Sequence, residues 1–213
     1  MSLVKGVILL PLDDESYRSN AAHHAFLAKV NTGEKISDPR QAATSVIEHC
    51  VRQAISLQLS LTRFRVLRWE ERDARSRYFV RFKELDGVFQ SNEGNIVLLE
   101  VKASATKSSL KSGLKQIRRA LDIISRIHPK SVGILAVADL SKWSNDFGQP
   151  FPELADDYFE KVDLTILEWP PRLPADRNQR IFVSRVPDET TLEWMSSYEG
   201  VSDECSLPQR ELG

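Results

Sequence analysis

The length of 213 residues suits one globular domain with a sizeable apolar core, and 41% apolar with 28% charged residues excludes the composition of a disordered chain. Two cysteines, Cys50 and Cys205, exclude a disulfide framework and a cysteine-based zinc site, and they favour a cytoplasmic protein. The net charge of -1 hides an asymmetry, because residues 101–130 carry eight Lys or Arg and one acidic residue, whereas residues 150–213 carry six basic and fourteen acidic residues. The basic stretch favours a polyanionic ligand such as nucleic acid, although a solvated helix face has the same pattern.

The first 37 residues are predicted to form an N-terminal extension packed on the core. Val7–Leu10 is an apolar run typical of a short strand, and Pro11 ends it well before the length of a signal peptide or a membrane span. A helix is predicted from Ala21 to Val30, begun by Asn20.

A second helix is predicted from Asp38 to about Leu59. Asp38 can cap it, Pro39 takes the first helical position, and Gln41 can complete a capping box. Its apolar residues recur at helical spacing and are Ala43, Ile47, Cys50, Val51, Ala54 and Leu57. Glu48 lies at the border of that apolar stripe.

Two half-exposed strands are predicted at Thr62–Trp69 and Arg77–Leu85, because both segments are rich in β-branched and aromatic residues. The sequence Asp-Gly-Val-Phe at 86–89 leads into the turn-rich residues 90–95. The unbroken apolar run Ile96–Leu99 then predicts the central strand of a sheet, covered on both faces.

The helix predicted from Lys107 to Ile127 is amphipathic. Its apolar residues alternate at spacings of four and three and are Leu110, Leu114, Ile117, Leu121 and Ile124. With the apolar strand Val132–Ala138 it completes a strand–helix–strand unit, which predicts an α/β or α+β fold. Two more strands are predicted at Val162–Trp169 and Ile181–Val186, and Ser196–Gly213 is predicted to be a frayed tail.

Three ionisable residues around the apolar strand carry the candidate chemistry. Side chains two apart on a strand share a face, so Glu100 and Lys102 point the same way and Leu99 and Val101 pack on the other side. A hairpin across the turn brings Asp86 beside Glu100. Two carboxylates suit Mg²⁺, which often takes one or two of them plus substrate phosphate. The metal lowers the pKa of a water molecule, and Lys102 orients that water or assists its deprotonation, which predicts phosphodiester hydrolysis.

This spacing of Asp86, Glu100 and Lys102 around an apolar strand resembles the signature of the PD-(D/E)XK nucleases. Leu85 stands where the proline of that signature is expected, which makes the match less specific. The resemblance covers about residues 38–139. It implies a restriction-endonuclease-like fold, in which a mixed central sheet is flanked by helices on both sides, within a domain at residues 38–190 followed by a tail at 191–213.

The resemblance also implies further site residues. Glu48 matches the glutamate of the preceding helix that joins the metal site in such enzymes. Gln116, which is expected to be catalytic, matches together with Arg119 a motif on the following helix. The expected metal ligands are therefore Asp86, Glu100 and Glu48, with Mg²⁺ or Mn²⁺ as the cofactor. Basic residues on the same helix are expected to contact phosphates, namely Lys107, Lys111, Lys115, Arg118 and Arg119.

Three interpretations remain open at the level of sequence. The first is a DNA endonuclease, with DNA favoured over RNA and a homodimer or a partner subunit both compatible. The second keeps the fold without the chemistry, as a non-catalytic nucleic-acid-binding or protein-interaction module in a restriction, repair or mobile-element complex. The third is an α/β domain in which the Glu-x-Lys triplet is coincidental, with Glu48 solvated and Gln116 on a helix surface.

Overall fold

The computed structural model describes residues 3–32, 39–90, 94–103, 107–140, 164–173 and 179–202. The helices of this part are α1 Glu15–Thr32, α2 Pro39–Gln58, α3 Lys107–Ile124 and α4 Asp188–Ser202. The strands are β1 Val4–Pro11, β2 Phe64–Arg72, β3 Tyr78–Glu84, β4 Gly87–Gln90, β5 Ile96–Ala103, β6 Val132–Ala138, β7 Thr165–Leu167 and β8 Ile181–Arg185.

The strands form two sheets. The smaller sheet is antiparallel, with the order β1-β2-β3. The larger sheet has the order β4-β5-β6-β8-β7, in which β4 is antiparallel to β5 and the other neighbours are parallel. The chain is therefore a mixed α/β protein, and the predicted fold class is confirmed.

Both faces of the larger sheet are covered, because β5 and β6 alternate their apolar side chains between two cores. Leu98 and Leu135 pack with the apolar face of α3. Val97 and Val101 pack on the opposite side with residues of α2 and with Met195 of α4. Helices thus flank the mixed sheet on both sides, as predicted. The run that begins at Ile96 lies in an interior strand, but β6 and not β5 is the middle strand of the five.

The first helix and the C-terminal segment differ most from their predictions, and α3 ends at Ile124 rather than at the predicted Ile127. The first helix begins at Glu15 and not at Asn20, because the Asp14 carboxylate accepts hydrogen bonds from the Ser16 hydroxyl and the Tyr17 amide and so caps an earlier turn. The prediction of a frayed tail from Ser196 is wrong for residues 196–202, which belong to α4.

The serines explain why α4 looks like a tail in the sequence. The Ser196 and Ser197 hydroxyls donate to carbonyl oxygens four residues earlier, at Leu192 and Glu193, which satisfies them inside a helix. Met195 is buried and anchors the helix to the core. Residues 203–213 lie outside the described residues, as does the predicted cap Asp38, and the domain bounds at 38–190 stay a prediction.

A helix that crosses a bilayer needs about 20 consecutive, mostly apolar residues. No helix among the described residues is long and apolar enough.

Candidate active site

Asp86 stands where the chain passes from one sheet to the other. The Leu85 amide donates to the Arg65 carbonyl oxygen in the smaller sheet, at 2.8 Å. Gly87, two residues on, pairs with Leu99 in the larger sheet. This antiparallel pairing is the predicted hairpin, and it places Asp86 against the carboxyl-terminal half of β5.

Two side-chain carboxylates accept hydrogen bonds from backbone amides of β5 in the part of that strand that has no partner in β4. Asp86 Oδ2 accepts the Val101 amide at 2.7 Å, and Glu48 Oε1 accepts the Ala103 amide at 3.3 Å. Because backbone donors in a sheet need acceptors, these contacts satisfy β5 past its pairing with Gly87. They also hold both carboxylates next to the Glu100-x-Lys102 segment.

Glu100 is a buried carboxylate between two ammonium groups. Its side chain faces α3, with the residue only 4% exposed. Lys102 Nζ lies 2.8 Å from Glu100 Oε1, and Lys83 Nζ, on β3, lies 3.3 Å from Oε2. The predicted shared face of Glu100 and Lys102 is confirmed. A carboxylate removed from water in this way is costly unless it is paired, so the two lysines account for its burial.

Arg52 of α2 and Lys83 of β3 are site residues that the sequence reasoning missed. Arg52 Nη1 lies 3.1 Å from Asp86 Oδ1. Arg52 follows Glu48 by four residues, which places both on one face of α2 and is a signal that the sequence contains. The Lys83 contact joins strands of different sheets, and no local pattern reports it. With these two cations, the cluster balances three positive and three negative side chains.

Burial, together with neighbouring hydrogen bonds and charges, shifts two pKa values in this cluster. Burial raises the pKa of Glu48 above its ordinary value, and the Ala103 amide and the charge of Lys102 only partly offset that effect. Burial lowers the pKa of Lys102, but the hydrogen bond and charge of Glu100, with the charges of Glu48 and Asp86, outweigh burial and leave the pKa raised. Lys102 is therefore an ammonium ion at neutral pH, which can donate hydrogen bonds and stabilise negative charge but cannot accept a proton.

The raised pKa of Glu48 predicts a stability change in Glu48→Gln. The unfolded carboxyl titrates near 4.5, and the folded one titrates higher. Between the two values the folded state binds more protons, so stability falls as the pH rises through that window and stays reduced above it. Glutamine keeps the acceptor for the Ala103 amide without the charge. We expect the variant to gain no more than about 1 kcal/mol at pH 7, because partial exposure weakens the effect, and to gain nothing below about pH 4.

Urea unfolding at pH 4 and pH 7 checks this prediction. Glu48→Ala is the control, because it loses the acceptor for Ala103 and is expected to be less stable at both pH values. The quantity compared is the difference in unfolding free energy between Glu48→Gln and the unmodified chain. If this difference is less favourable to the variant at pH 7 than at pH 4, the burial of a charged Glu48 is contradicted.

Gly113 of α3 leaves the space that the Lys102 stem occupies. A Cβ at Gly113 would stand 3.1 Å from Lys102 Cγ and 2.9 Å from Leu135 Cδ1. We expect Gly113→Ala to lose roughly 1–2 kcal/mol of stability, because overpacking outweighs the better helix propensity of alanine. It should also slow any reaction that uses Lys102 by about 10- to 100-fold, because the ammonium moves.

Thermal unfolding and the rate of hydrolysis measure the two effects of Gly113→Ala separately. Lys111→Ala, at an exposed position of the same helix, is the control for stability and should not lose any. An alanine at 113 that stabilises the chain would show that the helix does not press on Lys102.

The remaining predicted residues lie along α3. Gln116 is half-buried, and its amide donates to the Ser112 hydroxyl one turn earlier in the same helix, at 3.2 Å. Arg119 Nη2 lies 2.7 Å from Glu71 Oε1 of β2. Lys111, Lys115 and Arg118 are exposed, as is Arg119. Lys107 begins the helix, but its side chain lies outside the described residues. The roles of these residues stay predictions.

The donors in the site suit a hard divalent cation. Asp86, just before β4, and Glu100 of β5 offer carboxylate oxygens, and Mg²⁺ accepts such a pair together with water and phosphate. Among the described residues, no three His, Cys, Asp or Glu side chains form a group that can hold a metal ion. Glu48 as a third ligand therefore stays a prediction.

Comparison with known proteins does not assign a family. No model of a protein family matches the chain, and no curated protein matches its sequence.

Proposed function

We propose that this chain is a metal-dependent nuclease that hydrolyses phosphodiester bonds, with Asp86, Glu100 and Lys102 as its catalytic residues. One observation carries the proposal. Glu100 is buried, touches the Lys102 ammonium at 2.8 Å, and precedes the Val101 amide that binds Asp86. Charged groups that are brought together and largely removed from water are common at active sites, which supports a catalytic role for this cluster.

The residues divide the chemistry between them. Asp86 and Glu100 would hold Mg²⁺ or Mn²⁺, which when bound neutralises phosphate charge and makes a water molecule more acidic. Lys102, as an ammonium ion, donates hydrogen bonds to a phosphate oxygen and stabilises the charge that develops there. The raised pKa of Glu48 moves this carboxyl in the direction that suits a proton acceptor near neutral pH.

The substrate in this proposal is nucleic acid, with DNA favoured over RNA and internal cleavage favoured over cleavage from an end. The basic residues on α3 support a polyanionic partner, because positive surface charge attracts phosphates and releases their counterions. A membrane partner is not part of the proposal. The proposal includes a cytoplasmic location, because the chain has only two cysteines. Both a homodimer and a complex with another subunit are compatible with the proposal.

Hydrolysis of circular and linear DNA by the purified chain tests the proposal. Circular DNA should be nicked or linearised with Mg²⁺ or Mn²⁺ and should stay intact with EDTA. A chain that leaves plasmid, linear and branched DNA unchanged with either metal, and that binds neither metal nor DNA, overturns the proposal.

A second candidate function is a non-catalytic module that binds nucleic acid or another protein. The observation in its favour is that Arg52, Lys83 and Lys102 already neutralise Asp86 and Glu100 within the chain. Such a cluster can be a structural ion network without a metal. DNA binding that persists in Lys102→Ala, with no hydrolysis by the unmodified chain, would select this candidate.

A further inference from the structure

One face of β3, called here the inner face, ends next to the candidate active site. Side chains alternate along a strand, so Phe79, Arg81 and Lys83 share one face, and the last of them contacts Glu100. Their partners on β2 include Trp69, which is buried in the core beneath α3, so this face of β3 turns toward the interior side of the sheet. Because β3 is the edge strand, however, its own side chains stay partly exposed.

Two guanidinium groups from different elements meet on this face. Arg119 of α3 lies 2.7 Å from one oxygen of Glu71, and Arg81 of β3 lies 3.8 Å from the other. Both arginine side chains are more than half exposed, whereas Glu71 is mostly buried. The three groups carry a net positive charge, and each guanidinium has more donors than one carboxylate uses, so an added phosphate oxygen can be bound beside Glu71.

Phe79 continues this surface away from the active site. It pairs with Glu71 in the register of β2 and β3 and is 40% exposed, and the Arg77 guanidinium lies 5.3 Å from the centroid of its ring. An exposed aromatic ring beside phosphate-binding cations is the combination that binds unpaired bases, because every base has a face that stacks.

We propose that a single-stranded segment of nucleic acid lies along the inner face of β3, with its phosphates on Lys83, Arg81 and Arg119 and an unpaired base stacked on Phe79. This inference rests on the proposed function and names its substrate class. Residues two apart on a strand are spaced by roughly 7 Å, a distance comparable with that between successive phosphates of an extended strand. Bases in a duplex are paired and stacked inside the helix, so Phe79 can engage only a base that is unpaired.

Equilibrium binding in EDTA tests this proposal without requiring hydrolysis. Fluorescent single-stranded and duplex oligonucleotides, each as DNA and as RNA, are titrated with the unmodified chain and its variants. Phe79→Leu should weaken single-strand binding roughly 5-fold or more and leave duplex binding unchanged, whereas Phe79→Trp should preserve both. Arg81→Gln should weaken single-strand binding several-fold and reduce the salt dependence by about 0.7 in log–log slope, the value for one phosphate contact.

Matched variants make the result specific. Arg172→Gln removes an equal charge from an exposed residue after β7, which lies three strands away from β5 in the larger sheet, and should leave binding unchanged. Val80→Ala shortens an exposed side chain on the other face of β3 and controls for damage to the strand.

The outcomes separate this proposal from the proposed function. If Phe79→Leu and Arg81→Gln bind single strands as well as the unmodified chain does, or weaken duplex binding equally, the proposed path along β3 is wrong even when hydrolysis is observed. If the unmodified chain binds single strands through Phe79 but hydrolyses nothing with any metal, the nuclease proposal fails and the binding surface stands.

Discussion

Replacing Lys102 by methionine is expected to lower the rate of phosphodiester hydrolysis by about 10²- to 10³-fold. Methionine approximates the length of the lysine stem but cannot donate a hydrogen bond to the charge that develops on phosphate. DNA binding in EDTA should stay within a few-fold, because Lys102 is mostly buried beside Glu100 and the exposed basic residues remain. Initial rates with labelled oligonucleotides, together with binding titrations, measure both effects.

Lys130→Met is the matched control for Lys102→Met. It removes the same group from an exposed position before β6, at the end of that strand remote from Lys102. Its hydrolysis rate should equal that of the unmodified chain. Equal rates in Lys102→Met and the unmodified chain would show that Lys102 takes no part in the reaction. If circular dichroism shows that Lys102→Met does not fold, Lys102→Arg becomes the deciding variant.

Replacing Asp86 by asparagine is expected to weaken Mn²⁺ binding by at least about 10-fold and to lower hydrolysis by about 100-fold or more. Asparagine keeps an oxygen that can accept the Val101 amide, so the junction between the sheets should hold. It removes the charge that a metal requires and leaves Arg52 without its carboxylate partner. Titration calorimetry with Mn²⁺ gives the affinity, and thermal unfolding reports any loss of stability.

Asp73→Asn provides a control with the same local chemistry. The Asp73 carboxylate also accepts backbone amides and pairs with an arginine, Arg77, but it lies in the turn between β2 and β3. It should reproduce any general effect of losing an Asp–Arg pair without changing Mn²⁺ binding. Equal Mn²⁺ affinities for Asp86→Asn and the unmodified chain would show that Asp86 is not a metal ligand.

Local periodicity explains what the sequence predicted well. The alternation along β5 placed Glu100 and Lys102 on one face, and the helical spacing of apolar residues located α3, because both patterns depend on neighbours in the chain. The Asp-Gly pair after β3 located the junction at Asp86. These features need no knowledge of which strands pair.

Contacts that depend on the pairing of distant elements could not be predicted in the same way. Lys83 reaches Glu100 only because β3 ends where the two sheets meet, and Arg81 shares Glu71 with Arg119 only because α3 packs beside β2. The strand order that makes β6 and not β5 the middle strand has the same origin. The helix α4 was missed for a different reason, because its serines and acidic residues resemble a solvated tail.

The dependence of hydrolysis on a divalent metal tests the central claim most directly. Initial rates of cleavage of duplex and single-stranded oligonucleotides by the unmodified chain should rise, for one of the two substrates or for both, from background in EDTA to a saturating value as Mg²⁺ or Mn²⁺ is added. Rates that stay at background for both substrates over the whole metal titration, while the folded chain binds the same oligonucleotides, would contradict a hydrolytic role for Asp86, Glu100 and Lys102.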